Sequence, residues 1–329
     1  MKIVHIKQNK QIDKSRYISH KNQESFILQT LPSFAYAYNA YKRQKVSNFL
    51  DSWVTKTMDV QKDTSNSLAI TWLGHASFLM QYNDITILTD PVFGSLPLFP
   101  RLTTHGLSLD HLPPIDFILL SHNHRDHMDF SSLSHLAYRY KNVHIAVPHG
   151  DARWLPRSLF SHVHEHAWHD ELISESLSGT TARCVFLPAY HWSRRGLFDT
   201  NHSLWGSWII QLGQHTIYFG GDSAYFEHFQ EIGIEYQIDI ALLPIAPIQP
   251  LEWMSRSHMS PADAGQAFFD LNAKIFIPMH WGTFQFGTDN HEDPVHLMRQ
   301  WEKDNKILLN THNKRLNILK IGDSLTVSS

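Results

Sequence analysis

From residue 68 onward, short apolar runs alternate with polar turns at strand length. "LAITWL", "ASFLMQY" and "ITILTD" (68–73, 76–82 and 85–90) are separated only by "GH" and "ND". Runs this short and this rich in β-branched and aromatic residues predict an antiparallel start, with Asn83-Asp84 as a hairpin turn. "FILLS", "VHIAVP", "ARCVFLP", "SWIIQLG", "HTIYFGGD", "IALLPI" and "KIFIPMH" continue the strand pattern, and "RLNILKIGDSLTV" predicts one or two final strands. Helices are predicted at about 130–140, 224–232, 261–272 and 292–304. The third has the clearest start: Ser260 can cap, Pro261 occupies the first turn, and Asp263 sits where a capping-box acid belongs. Strands and helices mix throughout after a hairpin-like beginning. That predicts an α/β protein of two mixed sheets flanked by helices, rather than a doubly wound parallel sheet.

Residues 1–66 break the pattern. They are polar, with an aromatic stretch "LPSFAYAYNAYKRQK" in which Phe34, Tyr38 and Tyr41 fall at helical spacing ahead of Lys42, Arg43 and Lys45. The expected reading is a helix packed on the main domain; the second is an interfacial segment with an aromatic face and a basic edge. The expected division is an extension over 1–66, packed on the core, and a catalytic domain over 67–329. The extension could also serve as an arm in a dimer.

Composition narrows the function classes. The chain of 329 residues is 42% hydrophobic and 18% charged, enough for a sizeable core and against disorder. A formal net charge of -3 offers no basic array, so nucleic acid is not an expected partner. The apolar runs fall short of a bilayer span, and the N-terminus lacks the apolar core of a signal peptide. The single cysteine, Cys184, excludes an internal disulfide and fits a reducing compartment; in "ARCVFLP" it reads as a buried, inert thiol. The expected location is the cytoplasm, with peripheral membrane contact open.

Histidine is the outlier, at 24 residues. "SHNHRDHMD", residues 121–129, sets three histidines and two acids directly after the apolar "IDFILL". His122 and His124 are two apart and project to the same side of an extended chain, so they can hold one metal. Asp126 and His127, from the following turn, can reach a second. Imidazole with carboxylate suits zinc, with iron, manganese or nickel also open. Three later residues repeat the rule of a ligand type after an apolar strand: His191 after "VFLPAY", Asp222 after "TIYFGG" and His280 after "KIFIPM". Strand ends on one sheet edge cluster in space, so all seven can meet. His122, His124 and His191 would bind the first metal, and Asp126, His127 and His280 the second, with Asp222 bridging.

His-x-His-x-Asp-His followed by His, Asp and His resembles the signature of the metallo-β-lactamase-fold hydrolases, whose fold is an αββα sandwich. "TWLGHAS", "LTDPVF", "LPPIDFILLSHNHRDHMD", "LWGSWII", "GGDSAYF", "LLPIAP", "HMSPADA" and "MHWGTF" are similar to the branch containing N-acyl-phosphatidylethanolamine-hydrolysing phospholipase D and its bacterial relatives. The resemblance covers roughly residues 68–285 and does not extend before residue 66. It implies a centre of two Zn²⁺ on the seven residues above. It also implies that His258, in "HMSPADA", faces the substrate phosphate, that Asp90 supports the site from behind, and that His75 is structural. Arg125 and Ser257 depart from the mammalian lipase, which carries an aromatic and an amide there; both lie near the expected substrate path.

The expected function is a zinc-dependent phosphodiesterase of phospholipase D type, acting on N-acyl-phosphatidylethanolamine-like phospholipids or a small phosphodiester. Asp126 would orient the attacking water. His258 would stabilise the phosphate or protonate the leaving oxygen; a histidine bonded to a metal ligand is the competing role. The loop "PVFGSLPLFPRL", residues 91–102, would form a pocket lip for acyl chains, touch a membrane, or pack on the extension. A lactonase or ester hydrolase acting on a small anionic metabolite is the alternative. A non-catalytic metal-binding regulator is disfavoured, because such a scaffold would not need an open two-metal site.

Overall fold

Strands that are apolar on both faces must be covered on both faces, and here they form two sheets packed against each other with helices outside. The computed structural model describes residues 3–7, 17–18, 48–55 and 66–328. The predicted aromatic helix around Phe34, Tyr38 and Tyr41 lies outside the described residues.

In chain order the strands are β1 (Ile3–Lys7), β2 (Ser67–Gly74), β3 (Ser77–Tyr82), β4 (Ile85–Thr89), β5 (Phe117–Leu119), β6 (His144–Pro148), β7 (His162–His166), β8 (Glu171–Glu175), β9 (Thr181–Leu187), β10 (Ser207–Leu212), β11 (His215–Phe219), β12 (Ile240–Pro244), β13 (Ile275–Met279), β14 (Arg315–Leu316) and β15 (Ser324–Ser328). The helices are α1 (Asn48–Ser52), α2 (Phe130–Arg139), α3 (His228–Glu235), α4 (Leu251–Met254), α5 (Pro261–Asp270), α6 (Asp293–Asp304) and α7 (Lys306–Thr311). One sheet has the order β15-β2-β3-β4-β5-β6-β7, the other β1-β8-β9-β10-β11-β12-β13-β14.

Period-two alternation sorts the side chains of the first sheet. Ile70, Trp72, Met80, Ile85, Ile87, Phe117 and Leu119 join the large core between the sheets. Their neighbours Leu79, Leu88, Ile118 and Leu120 join a second cluster with Leu133 and Leu136 of α2 on the outer face. On the second sheet α5 supplies Ala264, Ala267 and Phe268 to the core, with the Phe268 and Phe276 rings 5.4 Å apart. Cys184 is fully buried on β9, and burial pushes its thiol up to about 12, as an inert core residue requires. Among the described residues no helix is long and apolar enough to cross a membrane.

The predicted αββα arrangement is the observed one. Asn83, at φ +50, turns the chain between β3 and β4. Ser260 caps α5 with a complete capping box to Asp263. The expected helix at 224–232 lies instead at 228–235, because its first residues are bonded elsewhere: the Ala224 amide donates to the Tyr190 carbonyl, and Ser223 Oγ accepts from the Tyr190 amide. Strands β7 ("HVHEH") and β8 ("ELISE") were not anticipated, since neither carries an uninterrupted apolar run. From the N-terminal region, β1 extends the second sheet by pairing with β8, Tyr17 is buried against Trp168, and Trp53 packs on Trp281.

Ser260→Ala removes the side-chain acceptor of the Asp263 amide at the α5 N-terminus. Urea unfolding of this variant is expected to show a loss of about 1 kcal/mol; an unchanged midpoint would deny the cap its contribution.

Candidate metal centre

Every candidate ligand leaves the C-terminal end of a strand, and within each sheet those strands run in the same direction. β2 and β4 both flank β3 in antiparallel pairing, and β4 is parallel to β5. Their ends release His75, Asp90 and the 121–129 segment. β9 and β11 both flank β10 in antiparallel pairing, and β11, β12 and β13 are parallel. Their ends release His191, Asp222, the 245–260 loop and His280. One edge of each sheet thus carries all the donors.

The two edges must approach closely to share a site, and glycine permits it. The Gly206 amide donates to the Ser121 carbonyl at 2.9 Å, joining the two edges. Gly221 has φ +56, and a Cβ there would lie 2.6 Å from Ser121 Cβ. Buried indoles fix the turns that follow. Trp72 Nε1 donates to the carbonyl of His75, Trp208 Nε1 to that of Leu120, and Trp205 Nε1 to that of Ala189.

Four of the rings are oriented through the nitrogen that points away from the centre. His191 Nδ1 donates to the Ser257 carbonyl and His280 Nδ1 to the Ala246 carbonyl, both at 2.9 Å. His127 Nδ1 lies 2.7 Å from Asp90 Oδ2. Ser121 commits its hydroxyl proton to the same Asp90 oxygen, so its Oγ can only accept from His122 Nδ1, 2.9 Å away. Four rings therefore carry a proton on Nδ1 and turn Nε2 inward, open to a second proton or to a cation.

Those inward nitrogens meet one another and His124. His127 Nε2 and His280 Nε2 are 3.2 Å apart, and His122 Nε2 lies 2.8 Å from His124 Nδ1, which is 3.4 Å from His191 Nε2. Asp222 sits between the groups: Oδ2 is 3.3 Å from His127 Nε2, 3.9 Å from His191 Nε2 and 4.0 Å from His122 Nε2, while Oδ1 is 3.1 Å from His280 Nε2. Asp126 Oδ2 is 3.4 Å from His127 Nε2 and 3.6 Å from His280 Nε2. Lone pairs at these separations repel unless a proton or a cation lies between them. Buried imidazole and carboxylate donors converging in this way fit divalent transition-metal binding.

The electrostatics agree. Burial holds His122 well below the usual histidine value, His124 at about 4 and His191 at about 3, so all three are neutral donors. Burial disfavours the charge on Asp222, but His280 and His127 outweigh it and hold the carboxyl well below its usual range. Burial likewise disfavours a charged His280, yet the Asp222 and Asp126 carboxylates push it up to about 9. A proton and a divalent ion compete for that carboxylate field.

The structure brings all seven candidates together, and with them Asp90, His75 and His258. Asp90 is fully buried and accepts three hydrogen bonds, from Ser121 N, Ser121 Oγ and His127 Nδ1. His75 reaches Asp126 Oδ2 with Nε2 at 3.1 Å. His258 Nδ1 is buried without a partner, 3.7 Å from Asp222 Oδ2. Ser257 contributes its carbonyl to His191, whatever its side chain. Arg125 is exposed between His124 and Asp126.

Two supports carry no sequence signal. Arg195 Nη1 clasps the ligand loop by donating to the Asn123 and Met128 carbonyls, and Asp151 accepts from Asn123 Nδ2. Beside His280, Pro247, Phe284 and Phe286 line a shallow depression, with the Phe99 ring 5.1 Å from Phe286.

A family model described as "Beta-lactamase superfamily domain" matches residues 86–281. N-acyl-phosphatidylethanolamine-hydrolyzing phospholipase D 1 of Caenorhabditis elegans is 30% identical over 242 residues, 69% of this chain and 67% of the relative. The mitochondrial enzyme of that description from Saccharomyces cerevisiae is 30% identical over 244 residues, 70% of this chain but 52% of its own length. The chain thus spans between half and two thirds of these relatives. Among solved structures, the metallo hydrolase Igni18 of Ignicoccus hospitalis superposes with a TM-score of 0.58 at 20% identity, over 80% of this chain and 99% of that one, a likeness of fold.

Asp90→Asn offers one acceptor where three donors converge. Zinc affinity, read by chelator competition, is expected to fall about 10- to 100-fold; retention of wild-type affinity would remove Asp90 from the support of the site. Dialysis of wild type against a chelator is expected to lower the melting temperature, with recovery on adding zinc.

Proposed function

The chain belongs to the β-lactamase superfamily of metal-dependent hydrolases, and we propose that it is a phosphodiesterase of phospholipase D type acting on N-acyl-phosphatidylethanolamine-like phospholipids. In this reading His122, His124 and His191 would hold one zinc ion and Asp126, His127 and His280 a second, with Asp222 available to both. Bound there, such a pair supplies Lewis acidity and a water acidified toward neutral pH. Catalysis is assigned to residues 67–329. The extension over 1–66 touches the site, since Ile18 forms a β-bridge with His191.

The chain's own residues divide the remaining work. Asp126 is 15% exposed where Asp222 is 2% exposed, so Asp126 is the carboxylate that an entering water can touch and that orients it. His258, held neutral at about 3 by burial, offers a hydrogen bond to a phosphate oxygen beside Asp222. Arg125, exposed at the rim, meets the charge of a headgroup.

The observation that carries the lipid assignment is the aromatic wall beside the donor cluster. Phe286 lies 6.1 Å from the His280 ring, Phe284 5.9 Å from Phe286, and Phe99 follows in the 91–102 loop, whose Leu98 is 69% exposed. An acyl chain would run along this wall while the phosphate sits at the donors, and the exposed leucine would meet the lipid surface in peripheral contact. The two phospholipase D relatives support the same substrate class.

Zinc-loaded protein screened against N-acyl-phosphatidylethanolamine, bis-p-nitrophenyl phosphate and a lactone panel is expected to turn over the two phosphodiesters. Lactone-only turnover would replace this reading with that of a lactonase. Phe286→Ala is expected to raise KM several-fold for the long-chain lipid and leave the small diester unaffected; equal effects on both would deny the wall its role.

A further inference from the structure

His75 lies outside the seven candidate ligands, yet its backbone is more constrained than theirs. It follows Gly74 (φ +105) and itself adopts φ +52, the left-handed region that a residue with a Cβ occupies only at some cost in energy. Three hydrogen bonds fix it there. Its amide donates to Thr283 Oγ1 at 2.8 Å, and its carbonyl accepts from Trp72 Nε1 at 2.9 Å and from the His280 amide at 3.0 Å. The ring is buried and lies 3.9 Å from the His280 ring, with Phe284 and Phe286 around it. Nδ1 is buried without a partner, whereas Nε2 is 3.1 Å from Asp126 Oδ2. Only Nε2 has an acceptor, so the ring proton belongs there and Nε2 donates to the carboxylate.

We propose that His75 is a positioning residue that sets one of the two metal sites. It fixes Asp126 Oδ2 through its ring and His280 through its carbonyl, joining a donor of the first sheet's loop to a donor from β13 of the second. This rests on the reading of Asp126, His127 and His280 as ligands of one ion.

The experiment measures zinc bound per full-length chain by competition with a chromogenic chelator. His75→Asn tolerates the left-handed backbone but is too short to reach Asp126. His75→Gln places an amide N–H about where Nε2 was. The asparagine variant is expected to bind one of two ions about 10- to 100-fold more weakly, with the other unchanged. The glutamine variant is expected to hold both within a few-fold of wild type. The proposal fails if His75→Asn binds both ions as wild type does, or if folded His75→Gln loses the ion, which would make the ring itself a ligand. The glutamine result decides by itself should the asparagine variant not fold. Asp126→Asn serves as the control: loss of one ion there without loss in His75→Asn overturns only the role of His75, and no loss in either overturns the ligand reading as well.

Discussion

The constraint that organises this molecule is the convergence of imidazole nitrogens and carboxylates on one buried space, where positive charge, a proton or a cation, must sit between them. His127 and His280 face each other through Nε2 at 3.2 Å, with the Asp222 and Asp126 carboxylates favouring a proton there against burial. No arrangement of apolar side chains benefits from this. It persists because the outward nitrogens are held by Asp90, Ser121 and the carbonyls of Ala246 and Ser257. The rings cannot relax by rotating without breaking those bonds, so the favourable response is to bind positive charge.

That demand explains why the fold needs two sheets. A single parallel edge offers donors spaced by the distance between strands, nearly in a row. Closing donors from several directions around a small volume requires a second edge facing the first. Gly221 lets the edges approach, and Asp222 then stands within 4.0 Å of histidines from both sheets. The β12 end supplies no candidate ligand, yet its loop provides both carbonyls that orient His191 and His280.

Much of this was legible in the sequence. The apolar runs gave nearly every core strand, because strands buried on both faces leave uninterrupted signals. "SHNHRDHMD" and the rule of a donor after an apolar run gave the residues that converge. What escaped did so for physical reasons. β7 is an edge strand of half-buried histidines and reads as loop. The start of α3 moved because Ser223 and Ala224 bond to Tyr190, a contact made across the fold. The part played by His75 was hidden, since a histidine after glycine in a tight turn looks like turn chemistry until Asp126 is seen opposite it. Arg195 and Asp151 act through the backbone and a side-chain amide of the ligand loop, which no spacing reveals.

The three indole bonds have a consequence for how such a chain can change. Trp72, Trp205 and Trp208 lie deep in the apolar interior, yet Trp205 and Trp208 spend their N–H on carbonyls two residues before His191 and His122, and Trp72 spends its own on the carbonyl of His75. Phenylalanine would fill much of the same volume and strand a buried carbonyl. The interior and the chemistry therefore cannot drift separately, and even oily positions carry a memory of the reaction.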